Sequence, residues 1–377
     1  MWIINFVRQE SNFMKKHFSI FAAALAVVML AMTPTSCKKD GKGEKRFSPE
    51  SMKDFYGTIW VANADLTYVL SFGDEVTLPR IYVLNPEGKI SHQHILHLND
   101  FGHPGQISFE IQDPTEMPGW GSSTDLYHTL KVTGDKSAVL YVCDEEWNHD
   151  DDGVPFMRKQ DFDLVSLKFA DAYVPQAVDL GEMKTSDGRE IHLKWAEWNL
   201  GACSLKIDGL FYCWGEFEQK AICVPSNYLY WDEPDVLPAD KDAATIRLGA
   251  PWRMPTKDEL EALFNTRQDA TNFSWTYETR NDDKGWCVKR KTGSCAGNSI
   301  FLPLAGFCGS EGKDGLNEVA YFWSSSIDPK VYPHTPTISL DKRYAYFMRI
   351  WTDGGEAPLF DTTDRYCGLS IRPVCDL

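Results

Sequence analysis

The sequence predicts two folded units of different texture: an all-β N-terminal unit, sandwich or small barrel, and a tryptophan-rich C-terminal unit. Three observations carry this. Short runs rich in β-branched and aromatic residues recur through residues 50–170, separated by turn residues and lacking helical periodicity. Nine of the 13 tryptophans lie beyond Val174. About 340 residues remain once an apolar leader is set aside, more than one core usually serves.

The leader comes first in the chain. Met14 opens the run MKKHFSIFAAALAVVMLAMTPTSC, with Lys15 and Lys16 as a positive start and an uncharged apolar stretch from Phe18 to Met32. That stretch is short for a transmembrane span, which needs about 20 apolar residues, and suits a signal-peptide core. Small Thr35 and Ser36 precede Cys37, as a signal peptidase requires beside the scissile bond. The run resembles the lipoprotein signals of Bacteroides-type bacteria. It implies that residues 1–37 are a signal peptide, with Met14 the better start, ending at a lipidated Cys37. The expected location is the cell envelope, lipid-anchored in the outer membrane, on its periplasmic or surface face. Residues 38–48, rich in Lys, Gly and Glu, read as a flexible tether.

Charge narrows the partners. The whole chain carries a net −16. Without the leader's three bases and one acid, 35 basic residues face 53 acidic ones, a net of −18. Such a surface repels phosphate backbones, so nucleic acid is not an expected partner. Cysteine usage fits export. Beyond Cys37 there are nine: Cys143, Cys203, Cys213, Cys223, Cys287, Cys295, Cys308, Cys367 and Cys375. Disulfides are expected in an oxidising compartment, and the odd count leaves at least one thiol unpaired within the chain. No CxxC spacing suggests zinc. Cys287 and Cys295, bracketing Lys291-Thr292-Gly293, form the first pair to test.

Residues 49–172 form the β-rich unit, of unknown function. Strands are expected at 59–72, 80–84, 89–98, 106–112, 126–133, 138–142 and 162–169. Asn85-Pro86-Glu87-Gly88, Thr133-Gly134-Asp135 and Asp150-Asp151-Asp152-Gly153 punctuate them. His92-Gln93-His94 places two imidazoles on one strand face, but His97 falls on the other, so a solvated strand edge is the preferred reading over a metal site. The acidic run from Asn148 to Gly153 lacks the closing Glu of a calcium loop and reads as a turn. No metal or cofactor is expected.

Pro175 marks a linker, and residues 174–377 form the second unit. Its convincing helix begins after Thr256, an N-cap whose capping-box partner is Glu259, with Leu260, Leu263 and Phe264 along one face. Seven blocks then carry a resemblance: VDLG (178–181), KWAEWNLGA (194–202), CWGE (213–216), DAATIRLGAPWRMPTKDELEAL (242–263), GNSIFLPLAGF (297–307), YFWSSS (321–326) and GLSIRPV (368–374). Together these are similar to the Fibrobacter succinogenes major paralogous domain family and its Bacteroides relatives. The resemblance implies an α+β C-type-lectin-like fold whose two ends, Val178 to Leu180 and Ser370 to Val374, pair as strands. It also implies that the blocks are scaffold. Cys213, Cys295, Cys308, Cys367 and Cys375 depart from the family pattern.

Binding residues are therefore sought on loops. Trp275 and Tyr277, Tyr344, and Trp351 with Asp353 combine aromatic faces, which stack on sugar rings, with polar groups that bond hydroxyls. For Trp351 the rival reading is packing, since Phe347, Arg349 and Trp351 share one face of a strand. Glu216 and Glu218 invite a glycosidase reading, but acids are too common here for two of them to signal one. The chain is thus expected to be a non-catalytic envelope lipoprotein that binds a glycan or surface protein. The alternatives are an envelope enzyme acting on glycans or protein side chains, and an accessory subunit of a fimbrial assembly.

Overall fold

The computed structural model describes residues 47–63, 67–73, 79–99, 103–111, 126–144, 146–149, 152–202, 208–220, 222–230, 237–280, 282–329, 344–352 and 360–377. The leader with Cys37, most of the tether, Cys203 and Asp353 lie outside the described residues. The chain divides into two compact units between Phe162 and Asp163.

The first unit is a closed barrel of eight antiparallel strands. These are β1 (Ile59–Asn63), β2 (Thr67–Ser71), β3 (Arg80–Leu84), β4 (Ile90–Asn99), β5 (Gln106–Ile111), β6 (Leu126–Gly134), β7 (Ser137–Cys143) and β8 (Val154–Lys159). Period-two alternation turns Trp60, Leu70, Ile81, Val83, Ile107, Phe109, Leu130, Leu140 and Phe156 into one core. Met52–Phe55 adds a 3-10 turn whose Phe55 ring packs 5.6 Å from that of Phe72. Closure gives each of the eight strands two neighbours, which is how a short-stranded sheet avoids pairing with other chains.

The barrel departs from the expected strands in three places, the first being 59–72, which forms two paired strands, β1 and β2, in place of one. The closing strand β8 carries Pro155, which has no N–H for the ladder and masks the strand in sequence. It nevertheless pairs with β7 (Leu140 opposite Val154) and β1 (Val61 opposite Met157). The strand expected at 162–169 does not form. That segment belongs to the second unit, where the Arg247 guanidinium donates to the Leu167 carbonyl at 2.8 Å and Phe169 N–H to the Arg247 carbonyl at 2.8 Å. His92-Gln93-His94 lies on β4 and pairs with Val83, Tyr82 and Ile81 of β3, whereas the pairing of β4 with β5 covers Leu96 to Asn99.

The second unit contains β9 (Ala177–Asp179), β10 (Met183–Lys184), β11 (Glu190–Ile191), β12 (Lys194–Ala196), β13 (Phe211–Tyr212), β14 (Phe273–Arg280), β15 (Asp283–Arg290), β16 (Ser299–Pro303), β17 (Phe307–Gly309), β18 (Gly312–Asp314), β19 (Val319–Ile327), β20 (Tyr344–Trp351), β21 (Phe360–Asp364), β22 (Leu369–Ser370) and β23 (Val374–Cys375). Its α-helices among the described residues are α1 (Ala243–Leu248) and α2 (Lys257–Asn265). The described residues are 45% strand and 11% helix, so the α+β, C-type-lectin-like C-terminal domain expected from the resemblance is corrected to a mostly β unit. The physical reason is that the remaining blocks are short extended segments spread over several small sheets. The largest of these runs β13-β22-β19-β20-β21. The terminal segments do not pair directly either. β12 stands between them in the order β23-β12-β9, with Trp195 opposite both Val178 and Val374.

Other expectations hold. The Thr256 hydroxyl accepts from Glu259 N–H, and the Glu259 carboxylate accepts from Thr256 N–H at 2.7 Å, closing the capping box of α2. Glu259 also takes a two-pronged ion pair from Arg253 (2.7 and 2.8 Å), which raises the pKa of that guanidinium. Leu260, Leu263 and Phe264 point into a core shared with Trp195, Val288, Ile300, Leu302, Phe322, Met348 and Val374. Fully buried Arg372 ties the last block to this core through the carbonyls of Ala196 and Phe301, and burial pushes its pKa down to about 9.

Candidate functional site: an aromatic shelf

β14 and β15 form a hairpin whose strands are joined by two residues, with Arg280 opposite Asp283 and Asp282 at φ 70°. This register sets Tyr277 opposite Trp286 and Trp275 opposite Val288, while β16 sets Leu302 opposite Trp286 and Ile300 opposite Val288. Directly opposed residues share a sheet face, as do residues two apart in one strand. One face therefore grades from buried to exposed. Phe273, Val288, Ile300 and Leu302 sit in the core, Trp275 and Trp286 are half-buried at its margin, and Tyr277 is 39% exposed.

The three outer rings make a ladder. Trp286 lies 5.4 Å from Tyr277 and 6.4 Å from Trp275, centroid to centroid. Both indoles are pinned at the nitrogen: Trp275 Nε1 donates to Thr266 Oγ1, and Trp286 Nε1 to the Trp351 carbonyl, each at 2.9 Å. The Arg267 guanidinium lies 4.9 Å from the Phe264 ring, 5.8 Å from Trp275 and 5.7 Å from Trp286, and burial lowers its pKa. Its position is set by α2, since Thr266, next in the chain, bonds back to the Leu263 carbonyl at 2.6 Å. A fixed set of aromatic faces backed by a cation offers stacking to a flat, polar-edged ligand.

Of the residues singled out in sequence, Trp275 and Tyr277 come together here. Trp351 joins only through its carbonyl. Its ring is 37% exposed, with the Arg349 guanidinium 5.0 Å from its centroid, on the face it shares with buried Phe347. Tyr344 is at the other end of β20, roughly 23 Å away at about 3.3 Å per residue, and does not converge on the shelf. Trp286 and Arg267 were missed. The signal for Trp286 was present: reading residues 281–282 as a two-residue hairpin turn counts back from Arg280 and Asp283 to Tyr277 and Trp286.

The remaining candidates are engaged structurally. Glu216 is buried and paired with Lys220 at 2.5 Å, and Glu218 lies 3.6 Å from Arg247, so the two acids serve separate cations. Of the first cysteine pair to test, Cys287 receives the Arg280 guanidinium at 3.3 Å while Cys295 contacts Ser294 and Asp179, so the two thiols have separate partners. Among the described residues, no group of three or more His, Cys, Asp or Glu has a metal-holding arrangement. The barrel has its own concavity of about 520 Å³ on its outer wall, between Ser108, Thr129, Lys131, Tyr141, Trp147 and His149. In its lining the Ser108 and Thr129 hydroxyls bond each other at 2.9 Å, and His149 stacks on Tyr141 at 3.9 Å.

A scan against protein-family models, a search of curated proteins and a search of solved structures each return no match to this chain.

Proposed function

We propose that this chain is a non-catalytic lipoprotein of the bacterial cell envelope, held at a membrane by a lipid on Cys37, whose second unit binds a glycan on the Tyr277–Trp286–Trp275 shelf. The observation that carries the binding reading is the ladder itself. Rings that only complete a core are covered, whereas Tyr277 extends the ladder into solvent and the two indoles are locked in orientation beneath it. The resemblance of the blocks to the Fibrobacter succinogenes major paralogous domain family supports the reading, because the block residues are occupied in packing and leave recognition to other surfaces. Stacking on a sugar face needs no catalytic group. The envelope placement is supported by the leader: Lys15-Lys16, the apolar stretch and the small residues before Cys37.

A glycan array probed with the soluble chain from Ser48 tests the binding. Saccharides retained by the wild type and lost by Tyr277→Ala support it; retention of protein partners alone would replace the glycan with a surface protein. Cys37→Ala tests the anchor: the variant is expected to lose fatty-acid labelling and leave the membrane fraction. Continued labelling of that variant would exclude the lipoprotein assignment.

A further inference from the structure

Three cysteines meet in the core of the second unit. Cys213 follows β13, Cys223 leads toward the Pro225–Asn227 turn, and Cys308 is in the middle of β17. All are buried, at 2%, 2% and 0% exposure. The Sγ atoms of Cys213 and Cys223 are 3.7 Å apart. Cys223 N–H donates to the Gly309 carbonyl at 2.9 Å, which seats it beside Cys308. Gly368 closes the cluster from the other side, bonded to Cys308 in both directions at 2.7 and 2.9 Å. A methyl group on Gly368 would stand 2.7 Å from Cys223 Sγ and 2.9 Å from Cys308 Cβ, so the sulfurs are packed directly against backbone.

We propose that Cys213, Cys223 and Cys308 form a dithiol–disulfide centre that holds one disulfide, with Cys223 the sulfur common to its two possible bridges. Bond formation needs the 3.7 Å gap to close to about 2.05 Å, a movement of under about 2 Å. The neighbouring Cys213 sulfur, then Cys308 and burial, push the pKa of Cys223 up, while the Cys223 thiol beside it lowers that of Cys308, so Cys308 is the sulfur favoured as thiolate. The oxidant is a disulfide, either a small one such as oxidised glutathione or that of an oxidoreductase. One cluster thiolate attacks it and expels a thiolate; a second cluster thiolate resolves the mixed disulfide and expels the other. The cluster loses two electrons and two protons, and the oxidant leaves as two thiols. Attack of Cys308 thiolate on Cys223 of a Cys213–Cys223 bridge then expels Cys213 thiolate, moving the bridge with no net oxidation. Burial confines the first exchange to folding or to local opening.

The inference rests on this geometry and not on envelope placement, so its test is independent of the anchor. The reduced full chain is refolded in a glutathione redox buffer, acid-quenched, alkylated and digested with trypsin. The expected product links peptide 207–220, holding Cys213, to peptide 221–241, holding Cys223. Cys213→Ser is expected to move the link to Cys223–Cys308, and Cys223→Ser to abolish both. Full alkylation of all three cysteines in the oxidised wild type would overturn the proposal. So would a bridge from Cys223 to Cys287, Cys295, Cys367 or Cys375, or a metal ion retained on the three sulfurs in native mass spectra. The wild-type map decides alone if a serine variant fails to fold.

Discussion

Glu216 lies in the CWGE block, where sequence reading weighed it as a catalytic acid, and the structure gives it a different and measurable job. Its Oε1 accepts Leu229 N–H at 2.6 Å, and its Oε2 meets the Lys220 ammonium at 2.5 Å as an ion pair off the hydrogen-bond axis. Both side chains are under 10% exposed, and Lys220 has the Asn227 carbonyl as its other acceptor and the Tyr228 ring 5.9 Å away. Glu216→Gln keeps the shape and the Leu229 bond but strands an ammonium in the core. Breaking a buried pair from one side costs about 3–5 kcal/mol, because the remaining charge is uncompensated. In a unit of this size that is roughly 6–20 °C of melting temperature. Urea titration followed by tryptophan fluorescence measures it directly. Adding Lys220→Met should recover more than about 1 kcal/mol of the loss, the coupling expected of residues in contact. A single-mutant cost below about 1 kcal/mol, or strict additivity in the double mutant, would refute the reasoning and reopen a functional role for the carboxylate.

Two further outcomes follow from packing and charge. Trp323 is fully buried with its indole donating to the Tyr212 carbonyl at 2.8 Å, so Trp323→Ala should cost about 3–5 kcal/mol, whereas Trp351→Ala, losing a partly exposed ring and its Arg349 contact, should cost about 1–2 kcal/mol; melting curves of the two variants rank them, and equal losses would contradict the exposure of Trp351. Asp187, bonded by Thr185 and Arg189, is held down to about 2, below its ordinary value of 3.8. Its folded pKa is depressed, so its stabilising contribution is present above the unfolded value and is lost as pH falls from about 4 toward 2; a carboxyl NMR titration with an ordinary midpoint would refute this.

The barrel was legible where strands announce themselves by alternation. Arg80–Leu84 falls where sequence put it, and β4 to β7 fall within about two residues of expectation. It was illegible at Val154–Lys159, where Pro155 hides a strand whose place is decided by the need to close the ring. Helix α2 could be read because capping is local chemistry: Thr256 and Glu259 satisfy each other's backbone donors within one turn. The sheet arrangement of the second unit could not be read, since it pairs segments such as Phe211–Tyr212 and Leu369–Ser370 across more than 150 residues, and two-residue strands leave no periodic trace. The site was half legible for the same reason. Trp275 and Tyr277 stand out as aromatics two apart, but Trp286 joins them only through register, and Arg267 only through the way α2 ends.

The central claim is that Tyr277 is a binding residue on an ordered shelf, not a packing residue. Its most direct test pairs two measurements on Tyr277→Ala in the soluble chain from Ser48: a melting curve, and affinity for the strongest saccharide on the array. Removing a ring that is 39% exposed on an edge strand should cost under about 1 kcal/mol of stability, because little covered surface is lost. Loss of one stacking face should weaken binding at least tenfold, about 1.4 kcal/mol. Unchanged melting with a tenfold or greater loss of affinity is the result this account predicts. A large fall in melting temperature, or full affinity in the variant, would contradict it.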